Sequence, residues 1–304
     1  MEKIASTPAA NWGSRFISNT IHSHSNIIDE FRNAMLDSIS YAPENIIGDG
    51  KLYRFKDNNG KLNGAYVLHV DNRAAGYFEC HKQGIKQTWK MAGNFTPLSN
   101  YQRQVFKAQS QKEAEQRKAE ETVKHKEAAQ KACYIWNKAT LAPSNHPYLV
   151  KKHIDIHGAK LGRDNTLIIP LYSANKEIVN LQFISETGGK MFLSGGLKKG
   201  CFYWIGGEQA DKILIAEGFA TAASLHENSG YLTIVAFDAG NLKDVAIAVR
   251  ALSPESEIII CGDNDASGVG RKKAIDAALA TGGKYLIPET IGHDWNDSLT
   301  AVIL

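Results

Sequence analysis

Paired cysteines are missing from this chain. Cys80, Cys133, Cys201 and Cys261 lie far apart in 304 residues, and no CxxC occurs. That spacing argues against a zinc ribbon and against a disulfide framework, and it points to a reducing cytoplasm. No run of 18 apolar residues is present, which excludes a membrane-spanning helix. The opening MEKIASTPAANWGS has no hydrophobic signal core, so secretion is not expected. There is no GxxxxGK[ST] loop, and GGLKKG does not substitute for one.

The histidines add no zinc site. His153 and His157 are four apart, but Ile-Asp-Ile between them and Gly158 beside them disfavour one continuous helix. Adjacent Cys80 and His81 make poor zinc geometry, and His22 and His24 lie in a Ser-rich stretch.

The composition is globular, with 43% hydrophobic and 22% charged residues and a net charge of +3. That charge is too small to establish a nucleic-acid partner, but its distribution is uneven. Residues 51–90 hold eight Lys/Arg against three acids, Asp57, Asp71 and Glu79. Residues 1–25 read as a mobile segment. In 26–40, Ile27, Ile28, Phe31, Met35 and Ile39 fall on one helical face. KLYRF, AYVLHV, AAGYFEC and IKQTWK then read as short strands separated by turn-rich DNNG, LNG and DN. Residues 26–100 are therefore expected to form a small α+β domain.

Its basic residues interleave with Tyr53, Phe55, Tyr66, Tyr77, Phe78 and Trp89, a mixture suited to single-stranded nucleic acid or, equally, to building a small core. Lys51, Arg54, Lys86 and Trp89 are the candidate contacts. Residues 101–132 are rich in Ala, Glu, Lys and Gln and lack Gly and Pro, the pattern of a solvated helical linker.

From 133 the pattern becomes α/β. TLIIPLY and EIVNLQFIS precede the glycine-rich TGGKMFLSGGLKKG. KILIA (212–216), YLTIVAF (231–237), SEIIIC (256–261) and KYLIP (284–288) then alternate with helical FATAASLHENS, LKDVAIAVRAL and GVGRKKAIDAALA. This alternation predicts a parallel sheet flanked by helices.

Acids stand at the strand ends: Glu217, Asp238, Asp263 with Asp265, and Asp294 with Asp297. Carboxylates converging on one sheet edge repel one another unless cations neutralise them, and all-oxygen donors favour Mg²⁺ or Mn²⁺. Asp238 is equally readable as a cap for the helix that follows. Lys190, Lys198 and Lys199 read as lying in glycine-flanked loops, a setting that can bring ammonium groups onto nucleotide phosphates or, equally, leave them solvated. Arg163 is a candidate template or nucleotide contact. Arg271, Lys272 and Lys273 read as either phosphate-neutralising or solvated.

AEGFATAASL, CGDNDASGVGRKKA and HDWND together resemble the TOPRIM domain of bacterial primases, topoisomerases and some nucleases. With DGKLYRF, NGAYVLH and GIKQTWK upstream, the chain is most similar to the primases of conjugative plasmids and of satellite or temperate phages. The resemblance spans residues 26–100 and 133–304. It implies an N-terminal part of a primase core at 133–210 and a TOPRIM domain at 211–304.

It also implies Glu217, Asp263 and Asp265 as catalytic acids. Glu217 would act as metal ligand or general acid/base, Asp263 and Asp265 as the metal-holding pair, and Asp294 and Asp297 as further metal ligands. Gly218 and Gly262 would permit close backbone approach. The implied function is a DNA-dependent RNA primase that makes short primers on single-stranded DNA from ribonucleoside triphosphates, with Mg²⁺ or Mn²⁺ and no zinc. It would serve a plasmid, phage or other mobile element and rely on a separate helicase or replication initiator. A metal-dependent nuclease using the same acids and a non-catalytic single-strand-binding accessory protein are the alternatives.

Overall fold

A computed structural model describes residues 24–70, 74–92, 99–207 and 210–300. Residues 1–23, which carry His22 and most of the segment read as mobile, lie outside that range, as does Arg73. The chain divides into two compact units, 1–104 and 105–304.

In the first unit, α1 (His24–Ile39) is followed by β1 (Tyr53–Phe55), β2 (Gly64–His69), β3 (Ala75–Cys80) and β4 (Ile85–Lys90). The strands pair in sequence order and are all antiparallel. Phe31, Met35 and Ile39 of α1 are fully buried and pack with Phe55, Tyr66, Leu68 and Phe78. Phe31 sits against Gly76, where a Cβ would come within 2.5 Å of its ring.

Strand alternation fixes the two faces. Tyr66, Phe78 and Gln87 are cross-strand partners, as are Leu68, Gly76 and Trp89. These rows face α1: the rings of Phe31 and Trp89 lie 5.3 Å apart, and Ser38 Oγ donates to Gln87 Oε1 at 2.7 Å. The opposite face carries the rows Arg54–Ala65–Glu79–Lys86, Val67–Tyr77–Thr88 and His69–Ala75–Lys90. Arg54, Lys86, Thr88 and Lys90 are exposed there.

The second unit begins within α2 (Asn100–Lys138). The polar stretch expected as a linker is helical and largely exposed. Its last turns dock, because Ala128 and Ala132 interrupt the charged pattern with small side chains, and Ala132 packs with Ile168 and Leu181.

β5 (Thr140–Leu141), α3 (Pro147–Lys152), β6 (Lys160–Leu161), β7 (Leu167–Tyr172), β8 (Ile178–Ile184) and β9 (Lys190–Phe192) follow. Their five strands form an antiparallel sheet in chain order. Next come β10 (Tyr203–Ile205), β11 (Lys212–Ala216), α4 (Phe219–Ser229), β12 (Leu232–Val235), α5 (Leu242–Leu252), β13 (Glu257–Cys261), α6 (Val269–Thr281), β14 (Lys284–Leu286) and α7 (Trp295–Thr300). This sheet has the order β10-β12-β11-β13-β14. It is parallel except for β10, an antiparallel edge strand.

Alternation again sorts the core. Ile213, Ile215, Ile258 and Ile260 face α5 and α6, where Val245, Val249 and Ala277 are buried. Leu214, Ala216, Ile259 and Cys261 face α4 and the antiparallel sheet, packing with Phe219, Ala223, Leu167 and Ile169. One core therefore unites residues 133–210 with 211–300. Among the described residues no helix is long and apolar enough to cross a membrane.

Candidate active site

β11 and β13 are neighbouring parallel strands with Ala216 opposite Cys261. Both leave the sheet at the same edge, so Glu217 and the Gly262-Asp263 step emerge side by side. Gly218 then caps α4 in an extended conformation. Both acids are half-buried, and Glu217 Oε1 and Asp263 Oδ1 are buried with no hydrogen-bond partner.

Burial pushes the Glu217 carboxyl up to about 7, helped by the charge on Asp263. Burial likewise pushes Asp263 up to about 6; Asp294 adds to this and the Lys190 ammonium opposes it. Both carboxylates thus sit in surroundings that penalise negative charge and supply no donor to these oxygens. A hard divalent cation fits that need, since Mg²⁺ takes one or two carboxylates and completes its shell with water and phosphate.

The rest of the expected acid set behaves differently. Asp265 turns its carboxylate onto the start of α6, accepting from Gly270 N–H at 2.7 Å and Ser267 N–H at 2.8 Å. Hydrogen bonding, led by the Ser267 hydroxyl, holds its pKa below the usual range. Asp294 and Asp297 share Lys152, which lies 4.0 Å from Asp294 Oδ2 and 3.4 Å from Asp297 Oδ1. Among the described residues, no three His, Cys, Asp or Glu side chains are arranged to hold an ion. The five carboxylates therefore do not form one ready-made cage. Helix capping and Lys152 take up the charge that a cage would direct at metal.

Lys190 opens β9 and does not sit in a loop. The residue is exposed, and its ammonium lies 3.4 Å from where a Cβ on Gly218 would stand. Removal from water lowers its pKa, while Asp294, Asp263 and Glu217 pull it up. Lys198 pairs with Asp238 and lies 5.2 Å from the centre of the Phe192 ring; Lys199 pairs with Asp244 at 3.7 Å. Asp238 acts as a cap, with Oδ1 accepting from Asn241 N–H at 3.0 Å.

Gly262 serves packing, since a Cβ there would meet Ala274 Cβ at 2.6 Å. Arg163 stands exposed in the short turn 163–165, paired with none of the five acids. Arg271, Lys272 and Lys273 are exposed on α6. In the N-terminal unit Trp89 lies on the face covered by α1, where Phe31 claims its ring. Tyr77 takes the open face that Trp89 was expected to supply. Lys51 is exposed and pairs with Asp49 at 3.2 Å.

Three further residues carry no sequence signal strong enough to single them out. Buried Asn241 donates from Nδ2 to the carbonyl oxygens of Lys198, Cys201 and Ala236 and accepts from Gly200 N–H, which pins the Lys198 loop. Asn296 ties α7 to α3 and α4. Gly270 lets α6 approach the acids.

Residues 212–302 match the family model of the Toprim domain. They are a Toprim domain. Two Escherichia coli proteins, each described as DNA primase TraC, are 34% identical to the chain over 282 and 283 residues, or 86% of its length. The chain spans only 26% and 19% of those relatives.

Among solved structures, the primase fragment of the bacteriophage T7 primase-helicase protein aligns at a TM-score of 0.42 and 16% identity. It covers 83% of this chain and 95% of that one. The Aquifex aeolicus primase, with zinc-binding and RNA polymerase domains, gives 0.42 and 14% over 90% of this chain and 82% of that one. Within the Toprim domain, Glu217 and Asp263 occupy the carboxyl edge of the central parallel strands, where ligands of open α/β sheets bind.

Proposed function

We propose that this protein is a DNA-dependent RNA primase that joins ribonucleoside triphosphates into short primers on single-stranded DNA, using Mg²⁺ or Mn²⁺. The observation that carries this reading is the pair of half-buried carboxylates, Glu217 and Asp263, each with one buried oxygen that lacks a partner, at the strand ends of a Toprim domain. An unsatisfied buried acceptor is costly, and a divalent cation would relieve it. The kinship with DNA primase TraC along most of the chain favours primer synthesis over cleavage.

The bound cation would neutralise phosphate charge during in-line displacement. The protein's own side chains do the rest. Glu217 can serve as a ligand to that cation or as a general acid/base beside the reacting phosphate. Asp263 supplies the second carboxylate. Asp265 fixes the start of α6 behind them. Lys190 holds an ammonium over Gly218, where it can meet a phosphate oxygen. Lys198 and Lys199 can reach triphosphate by exchanging Asp238 and Asp244 for it.

On the open face of the N-terminal sheet, Arg54, Lys86 and Lys90 share a side with Tyr77, which supports binding of a single strand by charge and stacking. Lys51 and Arg163 are additional contacts for the template backbone. A separate helicase or initiator would supply unwound template, and a cytoplasmic site suits four free cysteines.

One assay tests the reading: single-stranded DNA, Mg²⁺ or Mn²⁺, and ribonucleotides. Oligomers that appear only with nucleotides support it. Cleavage without nucleotides would assign a nuclease, and binding alone an accessory protein.

A further inference from the structure

Lys152 ends α3 and belongs to none of the strands that deliver acids to the site. Its ammonium nevertheless reaches Asp297 Oδ1 at 3.4 Å and Asp294 Oδ2 at 4.0 Å. The two acids are themselves pre-arranged. Asp297 N–H donates to Asp294 Oδ1 at 2.9 Å, and Asp294 N–H to Asp297 Oδ2 at 3.4 Å.

The main chain beneath is anchored. Asn296, 2% exposed, donates from Nδ2 to the Lys152 carbonyl oxygen at 2.7 Å and to Ser224 Oγ at 2.8 Å. The first of these bonds fixes the main chain of Lys152, and its side chain is 26% exposed.

We infer that Lys152 is a built-in counter-ion that holds Asp294 and Asp297 in the resting protein and must be displaced before a divalent cation can share those carboxylates. This rests on the reading of the acidic strand edge as a metal site. A cation drawn to Asp263 and Asp294 would meet an ammonium at a few ångströms. Like charges at that distance repel strongly in partly dry surroundings. Displacing Lys152 exchanges one cation for another on the carboxylates and frees a positive charge where an anionic nucleotide would arrive. Lys152 acts through the acids and is a positioning residue.

The test is a titration of the full chain with Mn²⁺ and no nucleotide, with free ion read by electron paramagnetic resonance. Lys152→Met and Lys152→Gln remove the charge, and Lys152→Arg keeps it. None of these removes the carbonyl oxygen that anchors Asn296. The neutral variants should bind Mn²⁺ about three- to tenfold more tightly than wild type, and the Arg variant like wild type. Equal affinity in wild type and neutral variants would overturn the inference and leave the metal reading standing. No uptake by any protein would overturn both. Tightening by Arg as large as by Met would also overturn the inference, because charge would then not be the cause.

Discussion

Gly270 stands so close to Glu217 that a Cβ on it would lie 3.1 Å from Oε1. The same atom would meet the Asp263 carbonyl oxygen at 2.6 Å and Asp265 Oδ2 at 2.9 Å. A methyl group on this second residue of α6 would therefore press on the Glu217 and Asp265 carboxylates and on the main chain of Asp263.

Gly270→Ala should accordingly lower primer synthesis at least tenfold and cost about 1–3 kcal/mol by overpacking. Gly268 provides the contrast. It has a φ of +70° and open space around its missing side chain. Gly268→Asn should cost no more than about 1 kcal/mol and retain most activity. Primer-extension assays and thermal melts of both variants decide the matter. Full activity in Gly270→Ala would show that this close contact does not constrain the acids.

Glu217→Gln and Asp263→Asn should abolish synthesis yet raise stability in chelator at pH 8. Both carboxyls have folded pKa values raised above their unfolded ones, to about 7 and about 6. Such groups favour the folded state below the unfolded pKa. Stability is lost as pH rises from about 4 through the folded values. Neutral replacements remove that loss, by an amount on the order of 1–3 kcal/mol at pH 8. Denaturant melts at pH 5 and 8 measure it. A wild-type protein equally stable at both would contradict the assignment of buried, unpaired charge.

In the N-terminal unit, Tyr77→Ala should weaken single-stranded DNA binding by about 1–3 kcal/mol with little loss of fold. Trp89→Ala should instead destabilise the unit by up to about 3–5 kcal/mol, through lost packing on Phe31. Arg54→Ala and Lys86→Ala should each flatten the salt dependence of binding. Fluorescence anisotropy at several ionic strengths separates these effects. If Trp89→Ala alone loses DNA and keeps its melting temperature, the assignment of faces is wrong.

Removal of divalent ions should stop synthesis and leave the fold intact, because the α/β core packs without them. Either Mg²⁺ or Mn²⁺ should restore activity after EDTA, with no zinc added. Stoichiometric zinc in the purified protein, or synthesis in excess chelator, would count against the all-oxygen site.

Much of this protein was legible along the chain. KILIA, FATAASLHENS and LKDVAIAVRAL occupy the elements their patterns predict, residue for residue. Short apolar runs and period-matched helices are local properties, and each burial face follows from alternation. The strand-end position of Glu217 and Asp263 was equally readable, since parallel strands must release their chain at one edge. β10 was not legible as part of that sheet. YWI is an ordinary apolar triplet, and only its pairing with β12 gives it a place.

The sequence by itself determined the order of elements, the Toprim pattern and which acids reach the sheet edge, because all of these depend on neighbours within one strand or helix. The tertiary structure decided what each charge does once there. Asp265 is spent on α6, Asp294 and Asp297 on Lys152 from 142 residues and more upstream, and Trp89 on Phe31. Ion pairing and ring packing depend on distance in space, which strand and helix periodicity do not encode.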